Sequence, residues 1–245
     1  MRAFTTTLAL TFTLCATAAS AQVGAPRFDF SAGASGQVTS TEFTQRLSFP
    51  LYEETAEITG PVDPGKGVRI EIAGGVRIWR GLSAGVQVSR GSSSGRMEAT
   101  YSLPNPFLFS SPRTATIETD TTQSTLDVHL QVRLALLRQG RWTATVFGGP
   151  SFTWLDQALA PDRITYTYTY PFEGILLQES GSGETSGQAT GGHAGFTIAR
   201  EMTPRVNLQG LVRWNRTNVD LETDLGTTRV PTGGVQVGGG VQFRF

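Results

Sequence analysis

From Val235 to Phe245 the chain alternates strictly between two kinds of residue. One face of the segment carries Val235, Val237, Gly239, Val241, Phe243 and Phe245, and the other carries Gln236, Gly238, Gly240, Gln242 and Arg244. Period-two alternation makes a strand with one greasy and one wet face. The greasy face has to meet a protein core or lipid. A strand that stops on a phenylalanine suits the last strand of a barrel, where closure removes the open edge.

Seven earlier segments share the period, so the sequence predicts eight strands. The first runs from Phe28 to about Ser40, with Phe28, Phe30, Ala32 and Ala34 on one face. The second, Gly67 to Trp79, sets Val68, Ile70, Ile72, Val76 and Ile78 against Arg69, Glu71 and Arg77. The third starts at Leu82 and continues through Ala84, Val86 and Val88. In the fourth, Leu126 to Leu136, leucine and valine alternate with Asp127, His129, Gln131 and Arg133. The fifth places Trp142, Ala144, Val146, Phe152 and Trp154 on one face. The sixth, Gln188 to Ala199, and the seventh, with Val206, Leu208, Val212 and Trp214, precede the C-terminal strand. Trp79 alone has the parity of the polar face or of the turn.

The connections alternate between short and long. Arg80-Gly81, Arg138–Arg141 and Arg200–Pro204 are tight, whereas about 41–66, 91–123, 156–187 and 215–232 are long and polar. Short turns on one side and long loops on the other are the pattern of outer-membrane barrels, with the turns periplasmic. Aromatic residues fall near both ends of the strands: Phe28, Phe30, Trp142, Phe243 and Phe245 by the short turns, Trp154 and Trp214 by the long loops. Such girdles mark the two membrane interfaces.

The N-terminus gives an address. Arg2, the mostly apolar run Leu8 to Ala18 and the small-residue site Ala19-Ser20-Ala21 have the form of a secretory signal, with cleavage expected after Ala21 and one barrel domain over residues 22–245. Cys15, the single cysteine, lies in the part removed, so neither disulfides nor thiol chemistry is expected. Nothing beyond Ala21 approaches the ~18 apolar residues of a membrane helix. With 20 basic and 20 acidic residues the charge is balanced, which gives no reason to expect a nucleic-acid partner. The 29 glycines and scarce helix signals fit many strands and turns.

Taken together, the export signal, eight alternating strands and aromatic last strand resemble the small outer-membrane β-barrel proteins of the OmpA and opacity-protein type. The resemblance implies an all-β, closed, antiparallel up-and-down transmembrane barrel. It implies insertion into outer-membrane lipid by the barrel-assembly machinery, with Gly240, Phe243 and Phe245 matching the spacing of the assembly signal. Gly238 stands where that signal usually has a polar residue.

An eight-stranded barrel encloses a lumen just wide enough for side chains. The inward set includes Asp29, Arg69, Glu71, Arg77, Asp127, His129, Arg133 and Arg213. Isolated charges there are very costly, so an arginine–acid network plugging the barrel is expected. A water-filled polar lumen acting as a narrow passive channel is the alternative. Asp127 and His129 have the i, i+2 spacing of a general-base pair, and equally that of a histidine satisfied inside the network; the second is expected, and no enzyme activity with it. Two histidines on separate strands make no metal constellation, and no cofactor site is expected. Specific activity then falls to the loops. Leu103-Pro104-Asn105-Pro106-Phe107-Leu108-Phe109 is an apolar stretch. Ile164 to Tyr170, with Tyr166, Tyr168 and Tyr170, alternates like a hairpin arm above the membrane; a crossing there would make ten strands. Phe107, Leu108, Phe109 and the three tyrosines are the candidate contacts for an extracellular partner.

Overall fold

The computed structural model describes residues 27–108, 111–159, 164–169, 174–179, 183–223 and 226–245, with the side chains of 160–183 outside the description. Twelve strands are present among them: β1 (Phe28–Gln37), β2 (Phe43–Leu51), β3 (Glu54–Asp63), β4 (Val68–Trp79), β5 (Leu82–Leu103), β6 (Arg113–Gln139), β7 (Trp142–Leu159), β8 (Ile164–Thr169), β9 (Gly174–Glu179), β10 (Gly183–Thr203), β11 (Val206–Thr223) and β12 (Gly226–Arg244). Eight of them close an antiparallel ring in the order β1-β4-β5-β6-β7-β10-β11-β12, and β12 returns to β1 with Phe30 opposite Phe243 and Gly33 opposite Gly240. β8 and β9 pair only with each other, so that hairpin adds no strand to the ring.

Within the ring the outward faces carry the apolar stripes. Ile70 is 70 % and Val132 58 % exposed, while Asp127 and Arg213, on the inward parity, are 1 % and 0 % exposed. This inversion of a soluble protein's arrangement makes the belt a lipid-facing surface. Trp154 and Trp214 stand on the outer face at its upper end; Trp142, Phe243 and Phe245 stand at its lower end. Trp79 joins the lower set. A register shift between Arg77 and Trp79 turns both Ile78 and Trp79 outward, so parity alone misplaces Trp79. The same device between Ala135 and Leu137 leaves Leu136 and Leu137 both exposed.

The strands do not stop at the membrane surface. β6 is 27 residues long and β5 is 22, against the ~9–11 that a tilted strand needs to cross. The stretches 91–123 and 215–232, expected as loops, are largely continuations of β5, β6, β11 and β12. Parity is kept along β5 while the chemistry of each face is exchanged. Below, Gln87 and Ser89 point inward; above, Met97, Ala99, Tyr101 and Leu103 do, all buried. Outward, Val86 and Val88 give way to Arg90, Arg96 and Glu98. The upper storey is a barrel built for water, standing on one built for lipid.

β1 ends at Gln37 and β4 begins at Val68, and above them the β2–β3 hairpin fills the gap they leave between β12 and β5. β3 pairs with β5 from Asp63–Arg96 to Glu57–Ser102, and β2 lies against β12. The hairpin turns at Tyr52 and Glu53, whose φ values of 53° and 63° belong to the left-handed region that two-residue turns of this kind demand. It contributes Phe43, Leu47, Ala56, Ile58 and Val62 to a buried cluster with the inward apolar residues of β5, together with Leu155, Leu159, Val219, Leu221 and Val230.

The belt and the upper storey should answer differently to one added charge. Leu130→Arg, in the middle of the belt, is expected to cost roughly 2–4 kcal/mol in refolding equilibria measured in lipid vesicles. Thr116→Arg, on the outward face of the upper part of β6, should stay within about 0.5 kcal/mol of the parent.

Candidate functional site

The lower lumen is filled by polar side chains that tie opposite walls together. Three ion pairs form its frame. Arg133 on β6 meets Asp29 on β1 at 2.8 Å. Arg69 on β4 pairs with Asp127 on β6, and both are nearly inaccessible. Arg213 on β11 reaches Glu71 on β4 at 3.1 Å. Amides link these pairs. Arg133 Nε donates to Gln131 Oε1 at 2.9 Å, Gln131 donates to Gln87, and Gln87 donates to Glu71. On the far side Arg213 gives two hydrogen bonds to Gln236 Oε1, at 2.9 and 2.6 Å, and Thr153 donates to Asp127 Oδ1 at 2.6 Å. A continuous string thus runs from β1 through β6, β5, β4 and β11 to β12.

Glycines make the room. A Cβ on Gly85 would stand 2.9 Å from Arg133 Nη2, and one on Gly75 would stand 2.9 Å from Asp29 Oδ2, so the guanidinium lies flat against the β4–β5 wall only because both positions lack side chains. Charges buried this deeply are tolerable because the three acids of the network, Asp29, Glu71 and Asp127, each have an arginine.

Of the eight inward residues named from sequence, six form the three pairs. Arg77 forms no ion pair among the described residues and lines the lower cavity instead. His129 does not bond Asp127, whose oxygens go to Arg69 and Thr153. Its Nδ1 lies 2.8 Å from Ser151 Oγ, which lies 2.9 Å from Nδ1 of His193, with the two rings 4.6 Å apart. A serine hydroxyl has one proton and can donate to only one of the two rings, so at least one histidine carries a proton on Nδ1 and donates it to Ser151 Oγ. Both rings and Ser151 are buried. Ser151, His193, Gln87, Gln131 and Gln236 complete the site; their inward parity was the sequence signal that places them there.

Above this network the interior is mainly apolar: Ile58, Tyr101, Leu103, Leu155 and Leu221 are each no more than 1 % exposed, with Gln45, Thr121 and Gln157 buried among the same strands. Leu103 and Pro104, read as the start of an exposed apolar stretch, are buried because the inward face at that height is core. Among the described residues of the stretch, Phe107 and Leu108 are the exposed ones, at 70 % and 61 %. Phe109 and Tyr170 lie outside the described residues, as do the side chains of Tyr166 and Tyr168. On the outer face of the upper storey, the Arg229 guanidinium, 2.8 Å from Asp220, holds that carboxyl below its ordinary range. Gly240, Phe243 and Phe245 sit on the strand that closes the ring, with both aromatic rings on its outer face.

No protein-family model and no curated protein sequence matches the chain. Solved structures do. The outer membrane protein OprG from Pseudomonas aeruginosa is similar over 90% of this chain and 96% of its own, at 10% identity and a TM-score of 0.50. Neisserial surface protein A is similar over 89% and 97%, at 14% identity and a TM-score of 0.44. At such identities the likeness concerns the fold alone, and that to OprG agrees with the closed ring of strands. The chain has the fold of a small outer-membrane β-barrel.

Removing one member of a buried pair should cost more than removing both. Arg69→Met is expected to destabilise the protein by about 3–5 kcal/mol in urea titrations, because Asp127 is left charged and unpaired, and Arg69→Met with Asp127→Leu should recover most of that loss.

Proposed function

We propose that the protein is an exported outer-membrane barrel, closed to passive flow, whose extracellular storey presents a surface for binding a partner. The observation that carries this reading is a double closure of the interior. Among the described residues, the ion-pair and amide network spans the lower lumen from wall to wall, and a buried, mainly apolar cluster occupies the upper one. A buried network of this kind is also a poor active site. Ser151 and the two histidines have the atoms for proton transfer, but all three are buried among the described residues.

What remains accessible is a stiff, strand-built rim beyond the membrane, with Phe107 and Leu108 exposed at the β5–β6 turn. Exposed aromatic and aliphatic tips are contact points when they stand on a rigid frame. Export with loss of residues 1–21, and recognition of Gly240, Phe243 and Phe245 during assembly, belong to the same proposal. They are supported by the form of the N-terminus and by the position of β12 at the closing seam.

Two measurements test the reading. In planar bilayers the protein should show no steady large open state; a stable open conductance would favour the narrow-channel alternative. Phe107→Ser with Leu108→Ser should lower adhesion of expressing cells to host-cell or matrix surfaces several-fold at unchanged surface level and heat-modifiable gel mobility. Unchanged adhesion would remove the tip from the argument.

A further inference from the structure

The periplasmic mouth of the lumen has a charge balance unlike that of the network above it. A cavity of about 110 Å³ opens there, and Arg27, Arg77, Arg138 and Arg244 are among its lining residues. Asp29 and Glu71 also line it, but each is already paired, to Arg133 and Arg213. Arg77 and Arg244 point inward by strand parity, and Arg138 returns to the lumen after the register shift that turns Leu136 and Leu137 outward. Arg244 lies in the field of Arg138 and Arg77, with Glu201 and Asp29 opposing them. Among the described residues, Glu201 is therefore the one acid near the mouth without an arginine of its own, against four cations. The Asn207 amide, with its oxygen turned toward Arg244, accepts from Nε and Nη2 at 2.8 and 2.9 Å, which fixes that guanidinium without neutralising it.

Like charges held together in a concave, low-dielectric wall focus the field in the opening. Arginine's planar fork matches phosphate and carboxylate oxygens in pairs and stays charged at any physiological pH. The neutral balance of the whole chain hides this site, because many of the acids, among them Glu57, Glu98, Glu118, Asp120 and Asp220, stand on the extracellular storey. We propose that the periplasmic mouth is a binding site for a small multivalent oxyanion of the phosphate class, held by Arg77, Arg138 and Arg244. The site faces away from the extracellular rim and does not depend on the role assigned to that rim.

Inorganic pyrophosphate is the probe. Titrated calorimetrically into the folded protein in non-ionic detergent, it should bind saturably, one per barrel, and weaken as salt is raised. Arg77→Gln with Arg138→Gln should weaken it at least tenfold. Arg80→Gln with Arg141→Gln removes the same charge from turn residues outside the cavity and should change binding less than twofold. Heat-modifiable mobility reports that each variant is folded. Absence of saturable binding, or equal loss in both double variants, would overturn the proposal. Repeating the titration in nanodiscs separates sources of the oxyanion. A weaker curve in phosphatidylglycerol than in phosphatidylcholine supports the site with a lipid headgroup as its occupant, and equal curves support it with a soluble one.

Discussion

In hydrocarbon a backbone amide or carbonyl without a partner costs several kcal/mol, and every other feature of this molecule is arranged around that constraint. The seam between β1 and β12 satisfies it, pairing Asp29 with Arg244 through to Gln37 with Gln236. Where the constraint ends, the architecture changes. Beyond Gln37 the first strand leaves the wall, Gln37 Nε2 and Thr41 Oγ1 both donate to the Gly233 carbonyl, and the β2–β3 hairpin takes over the position. Water satisfies an edge that lipid would not, so the upper storey is closed by side-chain packing and a few such hydrogen bonds.

One rule of strand geometry then serves two solvents. Successive side chains alternate between faces whatever the surroundings. Selection of residue type, not any change of backbone, decides which face is greasy. On β11, Val212 and Trp214 point outward below and Arg216 and Asp220 point outward above, while the inward series runs Arg213, Asn215, Thr217, Val219, Leu221. The lower lumen can be polar because its walls face each other across a narrow gap, close enough for arginine and glutamine to span it. The upper lumen gains more by excluding water from apolar surface.

The ring was legible in the sequence because alternation over residues 68–78 or 126–136 admits few other structures. The upper storey was less legible, for a physical reason. Polarity there no longer separates strand from loop: a strand with one face in water and one in a small core reads as a polar stretch with scattered apolar residues. The signal was present in Met97, Ala99, Tyr101 and Leu103, which keep the parity of Gln87 and Ser89. The β2–β3 hairpin was hidden by its turn, since Tyr52-Glu53 lacks the glycine or asparagine that usually announces positive φ. In the lumen, parity identified which residues face inward but not their partners. Asp127 has His129 two residues away and still joins Arg69, because register across strands, not spacing along one, brings groups together. Trp79 shows the converse, where a local bulge overrules parity.

The exchange of faces between the two storeys also divides the thermodynamics of the molecule. Burying apolar surface away from water carries a large heat capacity, whereas surface that stays in contact with lipid does not. Only the upper storey, with Phe43, Ile58, Tyr101, Leu155 and Leu221 at its centre, draws its cohesion from the properties of water. Cooling and urea weaken that kind of cohesion, and excluded osmolytes strengthen it. The storey that faces the outside world is thus the one whose order follows the composition and temperature of that world, while the belt beneath it is buffered by the membrane.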